Sequence, residues 1–220
     1  MALTKFVENL LLYKSRMEEF NKSAPKDIRV EIPENSDARY LEYPDAHFDL
    51  AVTSPPYVNA VDYPRTHQLE MYWLEMQNGS LTPLKKQHIG TESVSVKFYN
   101  DLHLTGIDEA DRVISAIYET DKRRAYIAYK FLEDMEKNLQ EVHRVLKKGG
   151  RYVIVIGNNT IRGHRFESWK YLIGMAERNH FELDTYFGSE IIKHFIKIKR
   201  EQRINTDWII VLKKNKIHAR

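Results

Sequence analysis

Hydrophobic residues near the amino terminus repeat with the spacing of a helix. Phe6, Leu10, Tyr13, Met17 and Phe20 fall on one face of such a helix, and Thr4 can cap its beginning. Proline at position 25 ends the segment. The pattern therefore predicts an amphipathic first helix.

The rest of the chain alternates between short apolar runs and longer segments of helical period. Helices are predicted over residues 67–76, 107–121, 122–147 and 166–178, and strands over 28–32, 48–52, 151–157, 181–188 and 206–213. Strand 151–157 is almost wholly apolar, so we expect it to be central and covered on both faces. Alternation of strands and helices predicts an α/β fold with a parallel sheet. The last two strands have no helix between them, which predicts an antiparallel pair.

Composition is typical of a soluble globular protein. The 220 residues predict one domain, residues 1–220, with 78–105 as a long loop or small excursion. Without cysteine there is no disulfide framework and no thiolate metal site. No apolar run reaches the length of a membrane span, and the charged first helix is not a secretory signal, so we expect a cytoplasmic protein.

Positive charge is concentrated at the carboxyl terminus. Residues 193–220 hold nine Lys/Arg and two acidic residues, a local charge of +7 within a net charge of +3, which leaves −4 elsewhere. Such segregation favours an anionic partner on one face. A solvated, lysine-rich terminal hairpin explains the same charges.

The most informative motif is TSPPY at residues 53–57, directly after the predicted strand 48–52. Two prolines fix φ, remove two backbone donors and exclude the preceding residue from the helical region. The strand must therefore end in a rigid, extended turn between Ser54 and Tyr57. A carbonyl, a hydroxyl and a flat ring presented together suit the exocyclic amine of a nucleobase.

The motif resembles motif IV of the amino-methyltransferases, which methylate cytosine N4 or adenine N6, usually in DNA. The longer match SPPYVNAVDYPR at residues 54–65 strengthens the resemblance. It implies S-adenosylmethionine as cofactor, double-stranded DNA as substrate and a class I, Rossmann-like methyltransferase sheet with an antiparallel pair at its end. The serine form of the motif favours cytosine N4.

The resemblance assigns roles to residues of the motif. Ser54 and the Pro55 carbonyl would accept hydrogen bonds from the target amine, with Pro56 stiffening the loop, and Tyr57 would stack on a flipped base. Asp37 would bind the adenine amine of the cofactor. A strand-end cap for Ser54, a half-buried tyrosine at position 57 and a turn-forming Asp37 are the plainer alternatives.

Contacts with nucleic acid are expected from basic residues outside the motif. The candidates are Arg65 in the extended loop, unless it only pairs with Asp62, and Lys193, Lys197, Lys199, Arg200 and Arg203 between the last two strands. Phe195 is an aromatic candidate near the target base, and His88, Gly90, Thr91 and Glu92 are candidates for a lid. The histidines are scattered along the chain without the spacing of metal ligands, so no metal site is predicted.

One feature of the family is missing. Its cofactor lies over a glycine-rich loop after the first strand, and none of the nine glycines forms such an element here. The first two family strands also have no counterpart, so the sheet should be incomplete, with the chain beginning at the helix before the third strand. Three explanations compete: a second polypeptide supplies the missing part, the chain is the downstream part of a longer one, or the protein is catalytically silent.

These observations favour one part of a DNA methyltransferase completed by a second chain that carries the glycine-rich loop. Such enzymes often accompany a restriction endonuclease. The alternatives are an N6-adenine methyltransferase, an RNA base methyltransferase, and a silent nucleic-acid-binding module of the same fold.

Overall fold

The structure is a computed structural model. It describes residues 2–33, 36–58, 62–192 and 205–215. Two compact units divide the chain, Met1–Asn35 and Ser36–Arg220.

The first unit is built on one long helix, α1 (Ala2–Ser23). The Ser23 hydroxyl donates to the Phe20 carbonyl at 2.9 Å in its last turn, and Pro25 follows. The strand predicted over residues 28–32 is wrong, because the described residues after the helix contain no strand and Val30 and Ile32 are exposed. Alternation supplies one apolar face, but a strand also needs a neighbour to pair with.

The second unit contains a four-stranded sheet. Its strands are β1 (Phe48–Thr53), β2 (Leu146–Gly157), β5 (Phe181–Glu190) and β6 (Thr206–Lys214), and a separate hairpin holds β3 (Asn159–Ile161) and β4 (His164–Phe166). The order across the sheet is β1-β2-β6-β5, with β1 parallel to β2 and every other pair antiparallel. The predicted antiparallel ending is confirmed. Because β6 runs against β1 and β2, its first residues meet their carboxyl ends.

Six helices are described in this unit: α2 (Tyr63–Thr66), α3 (Gln68–Trp73), α4 (Thr82–Gln87), α5 (Asp108–Thr120), α6 (Lys122–Val145) and α7 (Ser168–Arg178). The helix predicted over 67–76 ends at Trp73, and the predicted loop 78–105 includes α4 and a 3-10 turn at Val96–Phe98. The helix predicted over 122–147 ends at Val145, and its last two predicted residues belong to β2 instead.

The core lies between α6 and one face of the sheet. Asp121 caps α6 by accepting from the Arg124 amide at 3.0 Å, and Phe131, Leu132 and Leu139 are fully buried along it. Helical period and burial therefore agree, as the sequence predicts.

The opposite face of the sheet is only partly covered. Tyr152 and Ile154 of β2 are buried, whereas their neighbour Val153 is half-exposed. Leu50 and Val52 of the edge strand β1 are 55% and 65% exposed. Val153 and Val155 of β2 are only half-buried, so the expectation that β2 is covered on both faces is wrong for the described residues of this unit.

The β3–β4 hairpin was not expected from the sequence. Its turn places Arg162 and Gly163 at φ 51° and 84°, the combination typical of a two-residue type I′ turn. The hairpin buries Ile161 and Phe166 and brings Asn159 toward the carboxyl end of β1.

Among the described helices, none combines the length and the apolar character needed to cross a bilayer.

Candidate functional site

The Pro-Pro loop leaves the carboxyl end of β1 as predicted. Residues 54–57 have no regular secondary structure, Pro55 is buried, and Pro56 and Tyr57 are half-buried. Val58 is completely buried in the core. Ser54 is exposed. The apolar residues thus anchor the loop while its serine faces outward.

Two contacts fix the loop from outside the motif. The Asn159 side-chain amide of β3 donates to the Val58 carbonyl. Gly90 lies against Pro56, and a Cβ built on this glycine would be 3.6 Å from the Pro56 Cβ and 3.8 Å from the Phe131 ring. Its φ of +77° also favours glycine. Neither contact was expected from the sequence, because both join residues far apart in the chain.

Tyr57 is fixed by a hydrogen bond to the last strand of the sheet. Its hydroxyl donates to Asp207 Oδ1 at 2.7 Å, and the Ser54 hydroxyl interacts with the same phenol oxygen. Burial raises the pKa of Tyr57 well above its ordinary value, and the hydrogen bond to the Asp207 carboxylate raises it further. Tyr57 is therefore a neutral donor that links the Pro-Pro loop to the beginning of β6.

Asp207 is the main residue that sequence reasoning missed. It lies 150 positions from Tyr57 and follows the basic segment. In the sequence, it enters only as one of two acidic residues in the charge of the carboxyl terminus. It is paired with Gly157 and Ser189 in the sheet, which sets its position beside the carboxyl end of β2. No local pattern marks an aspartate for such a contact.

A cavity of about 280 Å³ lies next to the loop. Gly90, which contacts Pro56, is part of its wall, and Pro64 of α2 is another part. The remaining lining residues are Asp62, Tyr63, Lys85, His88, Ile89, Thr91, Glu92, Ser93 and Arg123. All four lid candidates, residues 88 and 90–92, therefore line one cavity, and their role as a lid stays a prediction.

Residues 48–219 match a protein family described as DNA methylase, N6_N4_Mtase. The match begins with β1 and includes the Pro-Pro loop and Asp207. The chain belongs to this family. The α/β methyltransferase class and the amino-methyltransferase resemblance predicted from the sequence are therefore confirmed.

The individual relatives of this chain are distant. The chain is 26% identical over 166 residues to the type II methyltransferase M.MvaI of Kocuria varians, and the match covers 70% of this chain and 35% of that protein. TTHA0409 of Thermus thermophilus, solved in complex with S-adenosyl-L-methionine, is 20% identical with a TM-score of 0.44, and the match covers 84% of this chain and 55% of that one. A Methanosarcina mazei methyltransferase is 13% identical with a TM-score of 0.35, covering 82% and 65%. The chain thus spans about a third of the curated relative's length.

Asp37 forms an ion pair with Arg39. The Arg39 guanidinium donates to Asp37 through Nε at 3.0 Å and through Nη2 at 2.7 Å. Its third nitrogen, Nη1, donates to Asp134 at 3.1 Å. Hydrogen bonding from Arg39 lowers the pKa of Asp37. Asp134 is buried on α6 and also accepts from Lys130 at 2.6 Å. The predicted cofactor contact of Asp37 therefore competes with an existing partner.

Arg65 is exposed on α2. Its backbone amide donates to Asp62 Oδ1 at 3.1 Å, while Asp62 Oδ2 accepts from Lys85 at 2.7 Å. The carboxylate of Asp62 thus pairs with a lysine rather than with the Arg65 guanidinium, and the role of Arg65 toward nucleic acid stays a prediction.

The other predicted nucleic-acid contacts, Lys193, Lys197, Lys199, Arg200 and Arg203, lie outside the described residues, as do Phe195 and residues 59–61 of the extended motif. Within the described ranges, no three His, Asp or Glu side chains form a group suited to a metal ion.

Proposed function

We propose that this chain is part of a DNA methyltransferase that transfers a methyl group from S-adenosylmethionine to the exocyclic amine of a flipped base, with cytosine N4 as the preferred acceptor. Membership in the DNA methylase family supports the reaction class. The observation that carries the proposal is the exposed Ser54 in a loop whose neighbours are anchored in the core.

Ser54 and the Pro55 carbonyl would accept the two hydrogen bonds of the target amine. An aromatic amine is a weak nucleophile because its lone pair is delocalised into the ring. Acceptors on its hydrogens favour the tetrahedral nitrogen that reacts, and they help most if they are already in position. The two prolines and buried Val58 provide that rigidity.

Tyr57 would provide the flat surface for the base. Its hydroxyl is held by Asp207 at 2.7 Å, which restricts rotation of the side chain and the tilt of the ring. A ring held this way loses little conformational entropy when a base stacks on it. Asp207 is therefore a positioning residue in this proposal.

S-adenosylmethionine would supply the methyl group, but the described residues do not form a complete site for it. Gly157 ends β2 and is followed by two asparagines, so it is not part of a glycine-rich loop. The remaining candidate, Asp37, is paired with Arg39. We propose that a second chain with a glycine-rich loop completes the cofactor site.

The exposed edge strand of the sheet supports this second chain. β1 is an edge strand, and its outward residues Leu50 and Val52 are more than half exposed. An apolar edge strand is normally paired or covered, because an open edge promotes aggregation. A strand added beside β1 would also lie next to the Pro-Pro loop.

The test is methyl transfer by the assembly that a tagged copy of this chain recovers from its native cells. DNA is treated with labelled S-adenosylmethionine, digested and analysed for N4-methylcytosine and N6-methyladenine. We expect N4-methylcytosine from the assembly and none from the purified chain alone. The Ser54→Ala assembly should lose about 100-fold in rate with unchanged affinity for DNA.

The same change at Ser115 on α5, outside the loop, is the matched control and should leave the rate unchanged. Methylation at full rate by the isolated chain would contradict the need for a second chain. N6-methyladenine as the product would contradict the base preference. An active Ser54→Ala assembly would contradict the assigned role, and DNA binding without any methylation would indicate the silent module.

A further inference from the structure

A second cavity, of about 360 Å³, opens beside the first. Its wall is formed by Lys86 of α4, by the segment after α4 and by two residues of α6, Tyr126 and Lys130. The two cavities share Thr91 and Ser93. The complete lining is Lys86, Thr91, Ser93, Val94, Ser95, Lys97, Phe98, Tyr126 and Lys130. Neither the family match nor the Pro-Pro motif assigns a role to this cavity.

Parallel aromatic rings form one side of the cavity. The planes of Phe98 and Tyr126 are within 8° of each other, with centroids 6.0 Å apart. His103 packs edge-on against Tyr126 with ring centroids 5.2 Å apart, and its Nε2 donates to the Phe98 carbonyl at 2.9 Å, so His103 supports both rings. Phe98 is nevertheless 46% exposed. A half-exposed, supported ring is a surface on which another flat ring can stack.

Positive charge lines the same cavity, and no carboxylate does. Lys130 is already paired with Glu133 and Asp134, so much of its charge is offset. Lys86 and Lys97 have no ion-pair partner among the described residues. The Lys97 ammonium lies 4.8 Å from the Phe98 centroid, which places a cation directly beside the ring.

Small hydroxyl residues complete the wall. Thr91 Oγ1 accepts from the Ser93 amide at 3.0 Å, which fixes the turn that separates the two cavities. Hydroxyls, unpaired lysines and a stacking ring together match the chemistry of a nucleotide, whose phosphate is anionic and whose base is flat.

We propose that this cavity binds a nucleotide of the DNA strand that flanks the target base. Its base stacks on Phe98, and its phosphate lies between Lys86 and Lys97. This inference rests on the proposed function, which identifies the bound strand as the one that carries the target base. Because the two cavities share a wall, a nucleotide in this cavity would lie beside the target nucleotide at the Pro-Pro loop. Stacking and phosphate contacts of this kind hold a strand without reading its sequence.

The probe is the thymidine tetranucleotide, because thymine has no exocyclic amine and cannot occupy an amine site. Calorimetric titration of the full chain should give salt-dependent binding. Phe98→Leu should weaken it about tenfold, since it removes the ring but keeps an apolar side chain. Lys97→Ala should weaken it and reduce its salt dependence.

Lys122→Ala is the matched control, because Lys122 also lies over a ring, 5.0 Å from the centroid of Tyr118, outside the cavity. Its binding should equal that of the unaltered chain. Thermal unfolding checks that each variant folds, and the lysine variant tests the site independently of the phenylalanine.

Three results would overturn the inference: no binding of the tetranucleotide, binding unaffected by Phe98→Leu, or an equal loss from Lys122→Ala, which would indicate diffuse surface charge. The outcome is separate from that of the proposed function. A chain that binds the tetranucleotide through Phe98 while its assembly transfers no methyl group would retain this site and lose the catalytic proposal.

Discussion

The Tyr57–Asp207 hydrogen bond should contribute measurably to stability. Tyr57→Phe removes the hydroxyl that donates to Asp207 Oδ1 at 2.7 Å and leaves the half-buried carboxylate without this partner. Hydrogen bonds to charged groups contribute about 1.5–3 kcal/mol. Since Asp207 is partly exposed and water can replace the lost donor, we expect the free energy of unfolding to fall by about 1–2 kcal/mol.

Tyr129→Phe is a matched control. The Tyr129 hydroxyl also faces a carboxylate, Glu133 Oε1, but at 3.4 Å and within one helix. A hydrogen bond that long is weak, so its loss should cost less than about 0.5 kcal/mol. Urea unfolding of both variants at neutral pH measures the difference.

The difference in unfolding free energy between the unaltered protein and Tyr57→Phe should also depend on pH. Because the pKa of Tyr57 is raised in the folded protein, its contribution is fully present below the ordinary tyrosine pKa of 10.0 and is lost as pH rises above that value. The unaltered protein then loses up to about 1.4 kcal/mol per pH unit from this group. The Tyr57→Phe variant has no phenol to ionise and lacks this loss. The difference in unfolding free energy between the two proteins should therefore become smaller above pH 10.

Two results would refute the reasoning. One is a cost for Tyr57→Phe no greater than for Tyr129→Phe, which would mean that the short distance adds nothing. The other is a constant gap between pH 9 and pH 11, about one unit on either side of the tyrosine value, which would mean that the phenol ionises equally in both states.

Two further predictions concern the turn and the ion-pair network. Gly163→Ala should lower the free energy of unfolding by about 1 kcal/mol, since Gly163 has φ +84°, whereas Gly79→Ala, with open space around it and no positive φ, should be nearly neutral in the same urea titration. Arg39→Met should cost about 3 kcal/mol, because buried Asp134 loses one of its two cationic partners. The lowered pKa of Asp37 gives stability that is present above its ordinary pKa of 3.8 and is lost as pH falls, so the acid-dependent loss measured by circular dichroism should be smaller in Arg39→Met. An acid profile identical to that of the unaltered protein would contradict the role of Arg39.

Several elements follow from the sequence alone. The period of residues 122–145 predicts α6 because one face of a helix must be apolar to pack on a sheet. The missing helix between the last two strands predicts their antiparallel pairing. The double proline predicts a rigid turn after β1, and the motif identifies the family that the match over residues 48–219 confirms.

Other features required the folded chain. The alternation of residues 28–32 predicts a strand that does not form, since periodicity describes which side is apolar and not whether a neighbouring strand exists. β2 shows the converse: its apolar sequence predicts cover on both faces, but Val153 and Val155 are only half-buried. Periodicity therefore predicts local conformation better than it predicts what packs against it.

In the candidate site, too, some features follow from the sequence and others only from the fold. The sequence determines Ser54, Pro55, Pro56 and Tyr57 as a rigid group, because proline geometry acts between neighbours in the chain. Only the tertiary structure brings Asp207 to Tyr57 across 150 positions. Such contacts depend on how the strands pair and how the helices pack, and a short polar side chain carries no local signal of the partner that folding will bring to it.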